Sequence, residues 1–338
     1  MSSHAFNKIN YGRDVSLVGY GAYALDKPQA LAGISFGKTS AKMACMLPDE
    51  VLLCFDNTGL EHEKTLEFGA RLEDALQREI HWLEFRPPVK YGDPLRYAQS
   101  ERVNFQTASR KGEPFIMMME AVAAYRKTHK EQGPISPWPR SRICTSYLKH
   151  RVHNRYAEAK GFTEYESFVG LRADEPSRVQ KLRNQETRTH TFRCPLYDAG
   201  DTVDDVNRFW ERQSFMLELP PGWGNCTGCF LKDRWDLVRN LGMEGMHRDV
   251  WFHLEDNYPN FGGQHFPGYR KLYAELPARL AIESALRLGD ELPPRPPEWS
   301  NRKFLYVIRD EKEHIANGSA GFSCACENSY LDGYADDL

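Results

Sequence analysis

The sequence predicts an α/β fold, a parallel twisted sheet with helices on both faces, from three observations. Residues from Ala30 onward read as strand, glycine-containing turn and helix: an apolar stretch to Ile34, the turn Phe36-Gly37-Lys38, then Thr39 to Leu47. A continuous apolar run, Val51 to Phe55, follows at the length of a buried strand. A segment with apolar positions at helical spacing and a third strand-like run, Ile80 to Phe85, complete the order strand, helix, strand, helix, strand. That order builds a parallel sheet with right-handed crossovers.

Each element has its own reason. Thr39 or Ser40 is suited to cap the first helix. Asp56-Asn57-Thr58-Gly59 closes the second strand as a βα turn. Leu66, Phe68, Leu72, Ala75 and Leu76 mark a helix within Glu61 to Glu79. Arg86 to Glu113 turns polar without a clean period, which predicts an insertion or mobile lid and no core element. Helices are predicted over Pro114 to Thr128, whose Met-rich run reads as core packing, and over Ser146 to Lys160 after the Pro-rich loop Gly133 to Pro139. Tyr165 to Leu171 and Thr191 to Leu196 read as further strands, and Thr202 to Trp210 as a capped helix. The expected organisation is a nucleotide-binding α/β domain over 1–221 (with 86–113 the insertion) and a mostly helical, cysteine-containing region over 222–338, where Pro293 to Pro297 forms a linker before a polar tail.

The 338 residues suffice for a full core, and their formal net charge of -3 provides no global basic field for holding nucleic acid non-specifically. The first residues hold no apolar run of signal-peptide length, and nowhere do about 18 uninterrupted apolar residues occur. The expectation is a cytoplasmic protein that does not enter a membrane. In a reducing compartment its eight cysteines argue for metal or catalysis before disulfides.

A strand that ends in a glycine-containing turn and opens a helix presents backbone N–H groups and the positive end of the helix dipole to an anion. Ser35, Phe36, Gly37, Lys38, Thr39 and Ser40 fit that task, although Gly-Lys-Thr-Ser in a βα turn also serves ordinary helix capping. The position that a Walker A loop fills with its first glycine holds Ala32. The spacing of Ser35, Gly37, Thr39 and Ser40 instead resembles the PP-loop of the ATP pyrophosphatases and adenylyl-sulfate reductases. Four later segments, in chain order, resemble the phosphoadenylyl-sulfate reductase family: Phe55 to Glu61, Arg142 to Lys149, Val169 to Arg178, and Cys194 to Asp198 with Asp204 to Trp210. A fifth, Gly224 to Phe230, resembles that family's late Cys-x-x-Cys.

The resemblance covers about Ala30 to Lys232 and implies an adenine nucleotide α-hydrolase-like, Rossmann-like fold. It implies ATP or a related adenine nucleotide with phosphates at Ser35 to Ser40, and base or ribose near the end of the second strand. Asp56, Thr58, Gly59 and Glu61 then fall beside the nucleotide, with Asp56 and Glu61 as ribose or Mg2+ contacts. Arg172 and Arg178 become phosphate or sulfate contacts, or else a solvated salt-bridge pair with Asp174 and Glu175. Lys38, Ser40 and Asp56 are the catalytic candidates.

Cys226 and Cys229 share a Gly-rich turn at a spacing that lets two sulfurs reach one metal. Cys144 stands where the iron–sulfur reductases carry two adjacent cysteines, the second being Thr145 here. The resemblance implies a 4Fe-4S cluster on Cys144, Cys226, Cys229 and a tail cysteine, Cys326 being preferred to Cys324, with Zn2+ as the alternative occupant and free thiols as another reading. Cys45, Cys54 and Cys194 read as core. His247, His253, Glu255 and Asp256 read as an exposed helix face, and the basic stretch Lys149, His150, Arg151, His153 and Arg155 as solvated charge or a surface toward a nucleotide or nucleic-acid backbone.

For the reaction, the expectation is ATP-dependent adenylation of a substrate for sulfur transfer or modification of tRNA or DNA, with a sulfur donor protein as partner. Thiol-dependent reduction of a sulfonucleotide to sulfite is the runner-up, weakened because the family's tail motif Glu-Cys-Gly-[Leu or Ile]-His is absent. A nucleotide-binding protein without turnover is the third reading. The sequence leaves the oligomeric state open, a homodimer included.

Overall fold

The computed structural model describes residues 25–131, 143–220, 223–230, 232, 234–258 and 266–317. Strands β1 (Gln29–Gly33), β2 (Leu52–Asn57), β3 (His81–Arg86), β4 (Gln99–Val103), β5 (Tyr165–Phe168) and β6 (His190–Arg193) form one sheet in the order β4-β3-β2-β1-β5-β6. All neighbours run parallel except β3 and β4. The helices between them are α1 (Lys38–Met46), α2 (Glu63–Leu76), α3 (Glu113–His129), the short turn α4 (Ile143–Thr145), α5 (Arg151–Ala159), α6 (Pro176–Arg183), the short α7 (Pro195–Asp198) and α8 (Val203–Glu211). Five more follow: α9 (Arg234–Leu241), α10 (Arg248–Asn257), α11 (Tyr269–Ala274), α12 (Leu276–Leu288) and α13 (Asn301–Asn317). The α/β class and the helical C-terminal region expected from the sequence are both present. Among the described residues no helix is long and apolar enough to cross a membrane.

Side-chain alternation along the strands builds two large cores, and a smaller third gathers Val169, Leu171, Leu182 and Phe192. Ala30, Ala32, Leu53 and Phe55 face one side with Met43 of α1, Leu66 and Phe68 of α2 and Trp210 of α8. Leu31, Cys54, Leu83 and Phe85 face the other, with Met118, Met119 and Val122 of α3, and that core continues into Leu237, Trp251 and Ile282 of the C-terminal helices. The Met-rich run thus packs as expected, and Cys54 and Cys194 are buried among apolar side chains.

Four local expectations are corrected. The first helix begins at Lys38 with Gly37 as its N-cap and no side-chain cap, so Thr39 and Ser40 lie inside its first turn. The polar stretch after Arg86 contributes the antiparallel edge strand β4, and buried Glu84 ties it down by accepting from Asn57 Nδ2 at 2.7 Å and from the Ser109 N–H and hydroxyl at 2.6 and 2.8 Å. The helix expected from Ser146 opens instead as a π-helical turn, Ser146–His150, before α5. The Pro-rich stretch at 293–297 leads into α13, whose entry is fixed by buried Trp299, and not directly into a polar tail. The capped helix α8 is as expected: Thr202 and Asp205 form a reciprocal capping box.

Candidate functional site

The strand order reverses direction at β1, with β2 on one side and β5 on the other. At such a switch point the loops leaving the carboxyl ends of neighbouring strands diverge and open a crevice. Here the crevice is a cleft with about 600 Å³ of open space, lined by Gly33, Ile34, Ser35 and Ser40 after β1, by Phe55, Asp56 and Glu61 after β2, and by Val169 and Gly170 after β5. Lys149, His150 and His153 close one side and Asn225 another.

The turn from β1 to α1 is shaped by hydroxyls and one aromatic anchor. Ser40 Oγ accepts from the Ser35 N–H at 3.2 Å, lies 3.0 Å from Ser35 Oγ and donates to the Gly37 carbonyl at 3.2 Å. Phe36 takes a left-handed φ of 55°, which carries its fully buried ring away from the cleft onto Phe55, centroids 4.0 Å apart. With no side-chain cap on Gly37, the N–H groups of the first turn of α1 remain available to an external acceptor. Gly170 belongs to this geometry, because a Cβ there would meet Ser40 Cα at 3.1 Å. Trp210 Nε1 donates to the Lys38 carbonyl at 2.7 Å and holds the helix start from behind.

The C-terminal region completes the turn. Asn225 Nδ2 donates to the Ser35 carbonyl at 2.7 Å, the His62 N–H donates to the Asn225 carbonyl at 3.2 Å, and Glu61 forms a backbone bridge with Cys226. Asn225 carries no separate signal beyond its place in the Cys-x-x-Cys segment. Glu61 is itself a buried hub: its carboxylate accepts from Thr58 N–H at 3.0 Å, Thr58 Oγ1 at 2.8 Å and Leu60 N–H at 3.2 Å. Gly59 has a left-handed φ of 76° in the same turn.

Asp56 points into the cleft from the end of β2. It is 8% exposed, its Oδ2 is 2.6 Å from His153 Nδ1, and its buried Oδ1 has no hydrogen-bond partner among the described residues. Burial pushes the Asp56 carboxyl above its ordinary value, against the pull of His153 and Lys149; burial likewise raises Glu61, against Lys149 and the Thr58 bonds. A carboxyl whose folded pKa is raised stabilises the fold most at low pH, and that contribution is lost as pH rises through the folded value. As pH rises above the ordinary glutamate value, the decline of denaturation midpoint is expected to flatten in Glu61→Gln. An unchanged slope would clear Glu61 of that role.

Of the other expected contacts, Arg172 is buried with Nε 2.9 Å from Asp174 Oδ1, and its Nη1 donates to Thr39 Oγ1 at 3.3 Å. Arg178 pairs with Glu175. The salt bridges weighed as the alternative are therefore present, and Arg172 also reaches Thr39 at the start of α1. The basic stretch divides: Arg155 pairs with Glu158 at the surface, Arg151 lies over the Tyr147 ring, and Lys149, His150 and His153 face the cleft. Lys149 and His150 come from the π-helical turn, a geometry frequent at functional positions, and His153 from α5 directly after it. His247 is drawn inward, its Nε2 3.2 Å from the Glu61 carbonyl, so it is not part of an exposed face; Asp256 is, in an ion pair with Arg270.

Cys144, Cys226 and Cys229 gather around buried Tyr269, whose hydroxyl donates to the Gly228 carbonyl at 2.6 Å. Burial pushes that hydroxyl well above the usual tyrosine value, and the three thiols act in the same direction. Cys324 and Cys326 lie outside the described residues. Among the described residues no group of three or more His, Cys, Asp or Glu side chains is arranged to hold a metal ion.

No family model matches the chain, and no solved structure matches it. It is 26% identical over 316 residues to the "Uncharacterized nin region protein ORF290" of Escherichia phage lambda, an alignment that spans 89% of this chain and 96% of the relative.

Proposed function

We propose that the cleft binds ATP or a related adenine nucleotide, with the phosphates on Ser35 to Ser40, and that an acceptor oxygen attacks the α-phosphorus to release pyrophosphate. The observation that carries this reading is the uncapped start of α1 at the switch point of the sheet, with Ser35 and Ser40 lining the cleft beside it. Backbone donors fixed before the ligand arrives stabilise charge that develops on the leaving phosphates, and need no reorganisation to do so. Lys38, in the same turn, adds a cation, and Mg2+ would arrive on the triphosphate. The adenylated acceptor is then open to displacement of AMP by a sulfur or nitrogen nucleophile. A tRNA or DNA base and a sulfur donor protein remain the proposed partners.

A second reading has one observation in its favour: the three thiols around Tyr269 form a region suited to sulfur chemistry. It is reduction of adenylyl sulfate or its 3′-phosphorylated form. A 4Fe-4S or zinc centre there would require Cys326 as the fourth donor.

Incubation with ATP and magnesium, or with a sulfonucleotide and a thiol reductant, separates the readings. Pyrophosphate is the expected product; sulfite would favour the second reading, and nucleotide binding without either product would mark a non-catalytic protein. Lys38→Ala is expected to lower turnover by about 100-fold while the unfolding midpoint stays within about 0.5 kcal/mol of wild type in stability. Full activity in that variant would remove Lys38 from the phosphate role.

A further inference from the structure

We propose that the loop between β3 and β4 is a stacking platform for the unpaired bases of an RNA loop. The inference deepens the adenylation reading above, on which it rests for the fate of the bound base, by naming the class of acceptor and the surface that receives it.

Large apolar side chains stand out from this loop. Val89 is 91% exposed, Tyr91 49% and Tyr97 54%. Isolated exposed apolar residues need no explanation, but a group of them on one loop marks an interaction surface. The backbone beneath them is fixed. Leu95 is buried in the core, and its 3-10 turn, Leu95–Tyr97, closes with the Ala98 N–H donating to the Leu95 carbonyl at 2.9 Å. Gly92 has a left-handed φ of 95° and lies so close to α3 that a Cβ would meet Thr128 Oγ1 at 2.5 Å. Arg155 of α5 donates to the Arg96 carbonyl. Rings held out on a fixed backbone lose little freedom when a ligand stacks on them.

The charge around the rings suits a phosphate-bearing partner. Arg96 lies over the Tyr97 ring, 5.0 Å from its centroid, and its Nη2 donates to the Tyr97 hydroxyl at 3.4 Å. Such a pair offers a flat face to a base and a cation to its phosphate. Lys90 sits between Val89 and Tyr91, Lys127 in the last turn of α3 and Lys130 at its C-cap. Among the described residues none of these four cations forms an ion pair. Glu131 and Glu158 are engaged by Arg126 and Arg155, which leaves Asp93 and Glu120 as the opposing charges. Burial, and then Glu120, raises the hydroxyls of Tyr91 and Tyr258, so both remain hydrogen-bond donors. The platform also adjoins the cleft. β3 runs parallel to β2, so the loop after Arg86 leaves the end of the sheet at which the cleft opens, and the π-helical turn that packs on α3 carries Lys149 and His150 into the cleft wall.

An RNA loop fits this surface better than DNA. Two tyrosine rings and four cations are too small a platform to repay the unstacking that opening a duplex requires. The chain's net charge of -3 likewise provides no field for holding a long polyanion, so recognition falls to the rings. Hairpin loops of RNA present bases that are already unpaired, and aromatic and guanidinium faces recognise RNA chiefly there.

The test measures binding alone. Full-length protein without ATP is titrated into a fluorescent RNA hairpin with a loop of about eight unpaired nucleotides, into the same stem as a blunt duplex, and into single-stranded DNA of the loop sequence. The hairpin is expected to bind about 10-fold more tightly than either competitor. Tyr91→Ala and Tyr97→Ala are each expected to weaken hairpin binding by about 10-fold, and Tyr91→Phe, which keeps the stacking face, to restore most of it. Arg96→Gln should make the affinity less sensitive to salt. Both tyrosines project to solvent, so the unfolding temperature of their alanine variants should stay within about 2 °C of wild type. Equal affinity for hairpin and blunt duplex overturns the platform, as does unchanged hairpin binding in the Tyr91→Ala, Tyr97→Ala double variant. Tighter binding of the DNA strand overturns the assignment to RNA. ATP affinity of wild type, measured in parallel, keeps the two readings apart: hairpin binding without ATP binding upholds the platform and removes adenylation, whereas ATP binding without hairpin binding overturns the platform alone.

Discussion

Phe36→Ala is expected to destabilise the protein by about 3–5 kcal/mol, the usual range for emptying a buried aromatic site. It should also abolish nucleotide binding by the molecules that remain folded. The ring is fully buried, 4.0 Å from the Phe55 ring and 4.9 Å from that of Trp82, and Gly69 of α2 makes room for it: a Cβ there would come within 2.3 Å. A left-handed backbone at a bulky residue is unfavourable by itself and persists only where surrounding contacts impose it. The aromatic slot therefore holds the backbone of the turn between β1 and α1 in place. Phe36→Leu, which keeps most of the apolar volume, should retain the larger part of both properties. Denaturant unfolding and ATP titration measure the two effects, and a loss below about 1 kcal/mol for Phe36→Ala would contradict the anchor.

Glu311→Ala is expected to have a comparable effect through electrostatics. Glu311 on α13 is fully buried, with Oε1 3.0 Å from Arg279 Nε on α12 and its carboxylate 2.5 Å from Arg239 Nη2 on α9. Arg279 is 1% exposed. Removing the carboxylate takes away a buried counter-charge shared by Arg279 and Arg239, and breaking a buried pair costs about 3–5 kcal/mol. α13 should then detach from α12. Increased backbone amide exchange confined to α12 and α13 would show this, while unchanged exchange and stability would mean that apolar contacts such as Val307 hold the helix.

The core strands were legible because apolar runs of strand length and a helical period are direct physical signals. β4 was not, since an edge strand with the sequence Gln99 to Val103 carries charged residues on an exposed ladder and has no apolar run. The π-helical turn was invisible because the apolar period around Tyr147 and Leu148 suits a helix of either kind. In the site, Ser35, Ser40, Asp56 and Glu61 were marked by local spelling and do converge on one cleft. His153 looked like one more residue of a basic stretch, since nothing local reveals a partner 97 positions away. Asn225 was hidden for the same reason, and α13 because its polar face outweighs its buried residues in the sequence.

The hydrogen bond from Asn225 to Ser35 joins positions 190 residues apart. During synthesis, strands β1 to β6 are made before Asn225, so the sheet has an opportunity to assemble while the turn between β1 and α1 still lacks this brace. That turn reaches its final form late in the maturation of each molecule.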